Sequence, residues 1–242
     1  MTVQQIIDKI IGRTALPVKL ERTCDILICG NPAMEVTGIV TSFMATVDVI
    51  HEAQTIGANM IITHEPTWFN GADDTEWLVN DPVFKEKKAL LERTGIAVWR
   101  YHDHMHMSKP DGIYEGLLKE LGWERYVQPS AEKPEFKANV PFYFAKNFTD
   151  FYDVPETTVR ALSDELKEKL HIGHVMICGD VTEWTLPAYA NDAAQLGCKR
   201  ALIIIGHKRS EEWGMKHMTG WLAKLTQTPV TFVDAKDPYI YQ

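Results

Sequence analysis

Three short aliphatic runs in this chain each lead directly into a polar segment that contains histidine. The runs are Asn59–Ile62, Gly95–Trp99 and Ala201–Ile205. The segments that follow them are Thr63–Pro66, Tyr101–His106 and Gly206–Glu211, and they hold five of the nine histidines. Each aliphatic run is typical of a buried strand, and an open α/β sheet collects its ligand-binding groups at strand ends. Imidazoles and carboxylates gathered there from distant parts of the chain indicate a metal centre.

Short apolar runs alternate with longer amphipathic segments along the chain, which favours an α/β architecture. The predicted strands are Ile26–Cys29, Gly38–Phe43, Asn59–Thr63, Ile96–Arg100, His174–Cys178, Ala201–Ile205 and Pro229–Val233. The predicted helices are Val3–Gly12, Val47–Thr55, Pro82–Thr94, Gly112–Leu121, Glu156–Lys169, Thr185–Leu196 and Ser210–Leu225. We therefore expect mixed sheets that are flanked by helices.

An internal similarity predicts how these elements are grouped. Glu52–Ala58 and Ala193–Cys198 each resemble a helix end with a glycine cap, and each leads through an aliphatic strand to a histidine. We interpret this as two related α/β halves, residues 1–125 and 156–242, which form one compact unit with the metal site in the cleft between them. Residues 126–155 would connect them and include an edge strand at Asn139–Lys146. Because the identities are few, a chance match is the alternative.

Composition narrows the class of protein. The net charge of −8 and the lack of a Lys/Arg cluster argue against a nucleic-acid partner. The four cysteines are scattered without a CxxC pair, which is typical of reduced, buried thiols in a cytoplasmic protein. We predict no signal peptide and no membrane span. Phosphate-binding GxxxxGK[ST], dinucleotide-binding GxGxxG and hydrolase GxSxG patterns are absent from the sequence.

The first histidine segment pairs His64 with Glu65. On a continuing strand these neighbours would point apart, but Pro66 restricts the residue before it and favours a turn. A turn there would aim both side chains into one cleft. The competing interpretation is a polar strand end beside a loop.

The second segment alternates three histidines with Asp103 and Met105. If it continues as a strand, His102, His104 and His106 share one face and Asp103 points the other way. Three imidazoles on one face are rarely a packing solution, because each buried ring nitrogen needs a partner. The segment therefore favours metal binding or catalysis, with a solvated polar loop as the alternative.

The third segment places His207 four residues before Glu211. We expect His207 in a loop and Ser210 as the N-cap of a helix. Glu211 and Glu212 would also suit the positive end of that helix dipole, so capping is a structural alternative for one of them. Capping does not explain His207.

Taken together, these segments resemble the interacting-factor-three-like family of dinuclear metal-centre proteins, the GTP cyclohydrolase I type 2 homologues. The resemblance rests on Cys24–Asp25, Gly30–Pro32, Ile61–Phe69, Tyr101–His106, Asp111–Ile113, Leu117–Gly122 and Gly206–Glu211. The chain departs from the family pattern twice, with Glu65 where a second histidine is usual and His106 where an aspartate is usual. One change replaces a histidine with a carboxylate and the other replaces a carboxylate with a histidine, so the numbers of imidazole and carboxylate donors stay the same.

The resemblance implies a set of site residues. The expected metal ligands are His64, Glu65, His102, His106, His207 and Glu211, and they would hold two divalent ions. Among them, His102 would be either an extra ligand or a residue that supports the other ligands. Zn, Mn, Fe and Co all suit nitrogen and carboxylate donors without thiolate. The two departures also permit a single ion or none. The candidate proton shuttles are Asp103, His104 and Glu212, among which the sequence does not choose.

The expected function is metal-dependent hydrolysis of a small molecule, with a nucleotide or a cyclic amide suggested by the resemblance. The alternative is a non-catalytic metal-binding adaptor or metal-handling protein. The resemblance also implies a ring-shaped homo-oligomer, commonly a hexamer.

Overall fold

The chain divides into two compact units. In the computed structural model the described residues are 1–14, 20, 22–108, 110–127, 155–170, 191–192, 195–196 and 203–237. One unit combines Met1–Leu117 with Ser210–Gln242, and the other is Leu118–Arg209. The first unit therefore draws on both the N-terminal and the C-terminal parts of the sequence.

A mixed five-stranded sheet forms the centre of the first unit, in the order β1-β4-β3-β2-β5. Its strands are β1 (Leu27–Cys29), β2 (Ile39–Ser42), β3 (Met60–Thr63), β4 (Ala97–Arg100) and β5 (Val230–Phe232). Strands β5, β2, β3 and β4 run parallel, and β1 pairs antiparallel with β4 at one edge. The predicted mixed α/β architecture is confirmed, and each of these strands lies within one residue of its predicted bounds.

Helices occupy both sides of this sheet in the sequence pattern expected of α/β units. The helices of the described residues are α1 (Val3–Thr14), α2 (Val47–Thr55), α3 (Pro82–Thr94), α4 (Asp103–Met107), α5 (Gly112–Leu121), α6 (Val159–Lys169) and α7 (His207–Thr226). Short 3₁₀ turns lie at Glu76–Leu78 and Glu124–Tyr126. Helices α2, α3 and α5 have their predicted bounds.

Local capping explains several of these boundaries. The Thr46 hydroxyl accepts a hydrogen bond from the Val49 N–H at the start of α2. The Asp81 carboxylate does the same for Phe84 at the start of α3, and Gly95 ends that helix at a φ of 65°. Helix α6 begins three residues later than predicted, because the Thr158 hydroxyl caps it by accepting from the Ala161 N–H.

The sheet is buried on both faces, which explains why its strands are continuously apolar. Val40, Ile61 and Val98 point into a core built with α2 and α3. Their neighbours on the same strands, among them Ile62 and Trp99, point into a second core. The second core is completed by side chains from α1, α4, α5 and α7.

The parallel register brings polar strand ends together. Ser42 pairs with Thr63, and Thr63 pairs with Arg100, so β2, β3 and β4 end side by side. Because parallel strands share their carboxyl edge, the residues that follow Thr63 and Arg100 emerge as neighbours. This edge is where the candidate site lies.

Two predicted elements differ from the observed fold. Tyr101–His106 does not continue β4 as a strand, because its residues from Asp103 onward form α4. Ile203–Ile205, predicted as part of a strand, have no strand structure, and within the described ranges no segment pairs with them. A strand requires a hydrogen-bonded neighbour. The predicted strands His174–Cys178 and Asn139–Lys146 lie entirely outside the described residues, as does most of the predicted helix Thr185–Leu196.

The C-terminal strand β5 pairs with β2 and so completes the sheet of the first unit. The sequence-based division had instead grouped residues 156–242 as a second half. The relationship between two α/β halves, their connector at residues 126–155 and a cleft between them stay a prediction.

The second unit contains α6, whose C-terminal end is held by a lysine. The Lys169 ammonium donates to the Leu121 carbonyl and pairs with Glu165 at 2.8 Å. The Trp123 indole donates to the same Glu165 carboxylate at 3.4 Å.

Among the described residues of both units, no helix is long and apolar enough to span a membrane.

Candidate metal centre

His64 and Glu65 turn together at the end of β3. The backbone N–H groups of both residues donate to the Phe43 carbonyl, at 3.2 and 2.9 Å. Because one acceptor takes both neighbours, the strand ends at Thr63 and the alternation of side chains ends with it. His64 is completely buried, and its side chain and that of Glu65 belong to one cluster of donors with Glu211.

A distant aspartate converts the second histidine segment into a helix. The Asp25 carboxylate accepts hydrogen bonds from the backbone N–H groups of His102, Asp103 and His104, at 2.6, 2.7 and 2.9 Å. These are the N–H groups that a helix start leaves without intrahelical partners. The predicted strand, with three imidazoles on one face, is therefore wrong.

The helical geometry separates the three histidines. His102 and His106 are four residues apart and lie on one side of α4, where both reach His64. The ring centroids of His64, His102 and His106 are 4.5, 4.9 and 4.8 Å apart, so the rings form a compact triangle. The His104 imidazole instead contacts Asp25, with Nδ1 2.6 Å from Oδ2.

Each imidazole of this triangle is oriented by a partner at Nδ1. The acceptors are the Tyr101 carbonyl for His64, Asp103 for His102 and Asp111 for His106, at 3.3, 2.9 and 2.9 Å. A carbonyl or carboxylate oxygen can only accept, so Nδ1 carries the proton in all three rings. The neutral rings therefore present the Nε2 lone pair. This is the arrangement that protein metal sites use to orient histidine ligands.

These lone pairs face other acceptors at short range. The Nε2 atom of His64 lies 3.1 Å from the Nε2 atom of His106 and 3.3 Å from the Oε2 atom of Glu211. With both rings neutral, electron pairs would face each other across these distances, which is unfavourable unless a cation lies among them. A shared proton or a metal ion supplies that cation, so this donor set fits a divalent metal.

The two carboxylates complete the cluster from different elements. Glu211 is buried on α7 and faces His64, and Glu65 places its Oε1 atom 3.9 Å from the Nε2 atom of His102. Two overlapping groups of donor atoms result, each within 4.8 Å. One group is His64, His102 and His106, and the other is His64, Glu65 and Glu211. All five residues belong to the first unit.

Burial sets the protonation of the imidazoles. It lowers the pKa of His64 below its ordinary value, although Glu211 opposes the shift. Burial also lowers the pKa of His102, and the neighbouring His64 adds to this effect. For His106, burial is outweighed by the hydrogen bond to Asp111 and by nearby carboxylates, so its pKa is raised. His64 and His102 are therefore neutral donors near pH 7.

The third histidine segment is helical from its second residue, His207. Helix α7 begins at His207, so Ser210 lies within the helix and the prediction that it is the N-cap is wrong. Glu211 consequently does not cap the helix and faces His64 instead. His207 precedes Glu211 by four positions in the same helix, but it belongs to the residues of the second unit. Its role as a metal ligand stays a prediction.

A close crossing of α5 and α7 helps to place Glu211 near the imidazoles. A Cβ atom added to Gly116 on α5 would lie 2.3 Å from the Trp213 carbonyl oxygen. One added to Gly214 on α7 would lie 2.4 Å from the Ile113 Cα atom. Only glycines allow the two backbones to approach this closely, and the approach carries Glu211 towards the imidazoles.

The predicted proton shuttles occupy three different environments. Asp103 accepts hydrogen bonds from the Cys24 N–H and thiol, at 2.9 and 3.3 Å, as well as from His102. Burial alone would raise the pKa of Asp103, but these hydrogen bonds hold it well below its ordinary value. His104 is paired with Asp25, and Glu212, the residue after Glu211 in α7, is buried. Their catalytic roles stay predictions.

Several residues of the site were given no role there by the sequence analysis. Asp25 and Asp111 orient α4 and His106, Arg100 lies beside Glu65, and Cys24 forms a third donor group with His102 and Asp103. Burial raises the pKa of the Cys24 thiol to about 12, so Cys24 acts as a hydrogen-bond donor. Asp111 follows His106 by only five residues, and this short spacing was the one sequence feature that could have indicated their contact. Asp25 lies too far along the sequence to be linked to α4.

A mixed α/β sheet with imidazoles and carboxylates at its strand ends defines the class of this molecule, an α/β protein with a candidate His/Glu metal site. The model of the Duf34/NIF3 (NGG1p interacting factor 3) family matches residues 1–185. The chain belongs to this family, as the sequence predicted.

Named relatives and solved structures agree with this assignment. The chain is 26% identical over 167 residues to a GTP cyclohydrolase 1 type 2 homolog of Clostridium acetobutylicum, an alignment that covers 68% of the chain and 58% of that relative. The crystal structure of Staphylococcus aureus protein SA1388 matches with a TM-score of 0.66 at 18% identity, covering 100% of this chain and 99% of that one. A Bacillus cereus protein related to NIF3 matches with a TM-score of 0.62 at 13% identity, covering 100% and 99%. At these identities the two structures show the fold alone.

Proposed function

We propose that this protein is a metal-dependent hydrolase of a small molecule. The proposed ligands of two divalent ions are His64, Glu65, His102, His106, His207 and Glu211. The observation that carries the proposal is the 3.1 Å approach of the Nε2 atoms of His64 and His106, each with its Nδ1 atom donating to an oxygen. A cation satisfies this arrangement, and the nearby carboxylates supply its countercharge.

Metal content tests the proposal directly. Protein purified without chelators should carry about two ions per chain by elemental analysis. The double variant H106A/E211A removes one imidazole and one carboxylate from the cluster and should lose most of this metal. The matched control is H51A, because His51 is an exposed histidine on α2. One ion in the wild type would indicate a mononuclear centre, and full metal content in H106A/E211A would refute the assignment.

When bound, the ions would supply Lewis acidity that polarises a substrate and activates water near neutral pH. The protein residues prepare this chemistry. The Nδ1 partners make Nε2 the donor atom of each ring when it is neutral, and they fix the ring orientations. The low pKa of Asp103 keeps its carboxylate ionised, so this residue suits orienting His102 and is a weak proton acceptor. His104 and Glu212 stay the other candidate shuttles.

The substrate proposal rests on the relatives. The Clostridium acetobutylicum protein is named a GTP cyclohydrolase 1 type 2 homolog, which suggests a nucleotide or a cyclic amide as substrate. The alignment covers only 58% of that relative, so its name does not assign a substrate to this chain. A turnover assay tests the suggestion. Metal-loaded protein should convert at least one member of a panel of nucleotides, cyclic amides and phosphodiesters, and H106A/E211A should not.

The second candidate is a non-catalytic metal-binding adaptor or metal-handling protein. The observation that favours it is burial, because the side chains of His64 and Glu211 are only 0% and 9% exposed. A centre this enclosed restricts access of a substrate. Full metal content without turnover of any substrate in the panel would support this candidate over the hydrolase.

We also propose a cytoplasmic homo-oligomer, a hexamer by family resemblance. Exposed apolar side chains between the end of β3 and the first turn of α3 support a contact surface in the first unit. They are Phe69, Trp77, Val79 and Val83, with 52%, 63%, 56% and 60% exposure.

A further inference from the structure

A cavity of about 640 Å³ lies between β1 and α3 in the first unit. The turn after β1, the loop after β3 and the residues that lead into β4 complete its walls. The described residues that line it include none of the proposed metal ligands. Its volume falls within the range of roughly 300–1,000 Å³ that small-molecule sites occupy. Its apolar wall residues are Ile28, Met34, Trp68, Phe84, Leu91 and Ile96.

A bulge in β1 directs two neighbouring side chains into this cavity. On β1, Leu27 pairs with Trp99 of β4. Cys29 pairs with the adjacent Val98, so two steps along β1 match one step along β4. In a regular strand Ile28 and Cys29 would point to opposite faces of the sheet. Here both side chains pack against the core built with α2 and α3, and both line the cavity. Bulges re-aim side chains in this way, and they are frequent beside functional sites.

The walls of the cavity belong to side chains that are otherwise packed in the core. Trp68 and Phe84 meet edge to face, with ring centroids 5.0 Å apart and ring planes at 71°. Trp68, Phe84, Leu91 and Ile96 are only 6%, 7%, 3% and 3% exposed. A flat protein surface does not reach walls this deep, whereas a small planar molecule can contact them. Two rings at this angle suit an aromatic ligand, which can stack on one ring and meet the edge of the other.

The polar groups of the cavity favour a ligand without charge. Burial raises the pKa of the Cys29 thiol, so it is neutral near pH 7, and it donates to the Ile96 carbonyl at 3.7 Å. The charged side chains among the lining residues are Lys88 and Glu92, which are one turn apart on α3 and exposed at the opening. Their charges are opposite and their ends lie 3.9 Å apart. An ion carried inward would lose its hydration without a counter-charge, whereas a neutral polar group can face both side chains.

We propose that this cavity is a binding site for an uncharged aromatic small molecule of one or two fused rings. The ring system lies against Trp68, Phe84 and the bulge at Ile28, and its polar group faces the Lys88–Glu92 pair. The site goes beyond the proposed metal centre and does not depend on it. The cavity adjoins the beginning of β4, through Gly95 and Ile96, whereas the histidine segment of the centre follows the end of that strand.

Titration with the uncharged naphthalene dye Prodan tests this site. The wild type should bind one equivalent with a Kd of about 100 µM or lower, the affinity expected of a ligand of this size, seen as a saturable rise in emission. C29F should weaken binding by about 10-fold or more, because the added ring occupies the space that the dye needs. Its midpoint of thermal unfolding should stay near that of the wild type, since the ring fills an existing space.

Matched variants locate the bound dye. I28F places a ring in the same cavity and should weaken binding as C29F does. I26F adds the same ring at an exposed position just before β1 and should bind like the wild type. H106A/E211A should also bind like the wild type, because the metal centre shares no residue with the cavity. A failed metal centre and a failed cavity site are therefore distinguishable.

Saturable binding that C29F and I28F weaken and I26F retains supports the proposal. Equal binding by the wild type and both cavity variants overturns it, because the dye would then bind elsewhere. Unfolding of both cavity variants overturns it as well, since no space for a ring would exist. Loss of binding in H106A/E211A would place the dye at the metal centre and have the same consequence.

An occupied cavity is the remaining outcome. A wild type that does not bind Prodan, together with a W77E/V83E variant that does, would show that a second copy of the chain covers the opening, and the small-molecule site would be refuted. Absence of binding by both proteins would show that the cavity does not accept this class of ligand, which overturns the proposal too.

Discussion

At the scale of single residues, the candidate centre depends on the hydrogen-bond partners of the Nδ1 atoms of His64, His102 and His106. A carbonyl and two carboxylates hold the three Nδ1 atoms, so Nε2 is the atom through which each neutral ring can donate a lone pair. The sequence showed which residue types were present at the strand ends. It did not show these partners, because Asp103 and Asp111 become partners only when α4 forms.

A second residue-scale feature is the buried Lys87, which predicts how the free energy of unfolding depends on pH. Burial lowers the pKa of Lys87 to about 8, and Asp73 only partly opposes this. Between the folded value and the unfolded value of 10.5 the unfolded chain holds the proton and the folded chain does not, so this lysine makes the protein more stable as the pH rises. The gain approaches about 1.4 kcal/mol per pH unit.

K87M removes this titration. The difference in free energy of unfolding between wild type and K87M should shift in favour of the wild type from pH 8 to pH 10, measured by denaturant unfolding. Its matched control is K88M, because Lys88 is exposed and pairs only loosely with Glu92 at 3.9 Å. Parallel stability curves for wild type and K87M would contradict the lowered pKa.

At the scale of elements, the strands were predictable and α4 was not. The strands have apolar side chains on both faces, so each appears in the sequence as a continuous aliphatic run. Helix α4 is only five residues long and depends on the Asp25 carboxylate, which is 77 to 79 residues away. Histidines at alternate positions looked like one strand face, and no local signal contradicted this. Tertiary contacts decided the element.

The crossing of α5 and α7 gives a prediction at the same scale. In G116A the new methyl group would lie 2.3 Å from the Trp213 carbonyl oxygen and 2.6 Å from Gly214 Cα, and neither backbone atom can rotate away. The helices must separate, which should cost roughly 1–3 kcal/mol of stability. Co²⁺ binding should also weaken, because Glu211 moves away from His64.

The control for this prediction lies on the same helix. A Cβ atom at Gly220 meets nothing within 4 Å among the described residues, so G220A should stabilise α7 by up to about 1 kcal/mol and leave Co²⁺ affinity unchanged. Thermal unfolding and Co²⁺ titration measure both effects. A G116A variant with wild-type stability would show that the helices do not cross this closely.

At the scale of the whole molecule, assembly is the property that the exposed apolar surface predicts. The side chains of Trp77 and Val83 are 63% and 60% exposed, and burying them against another copy would remove apolar area from water. W77E/V83E should therefore lower the molar mass by light scattering while the thermal unfolding of the dissociated chain remains cooperative. The exposed L196E variant is the control, since Leu196 lies in the second unit at 80% exposure. An unchanged mass would exclude this surface as the contact.

Glu211, the last donor of the cluster in the sequence, is synthesised long after the others. His64, Glu65, His102 and His106 are translated first, and Glu211 follows on α7 together with β5, which closes the sheet beside β2. A nascent chain at the ribosome therefore has only part of this cluster. If the proposed centre binds metal, we expect tight binding of an ion to coincide with the docking of this late helix, so that metal loading would report completed folding.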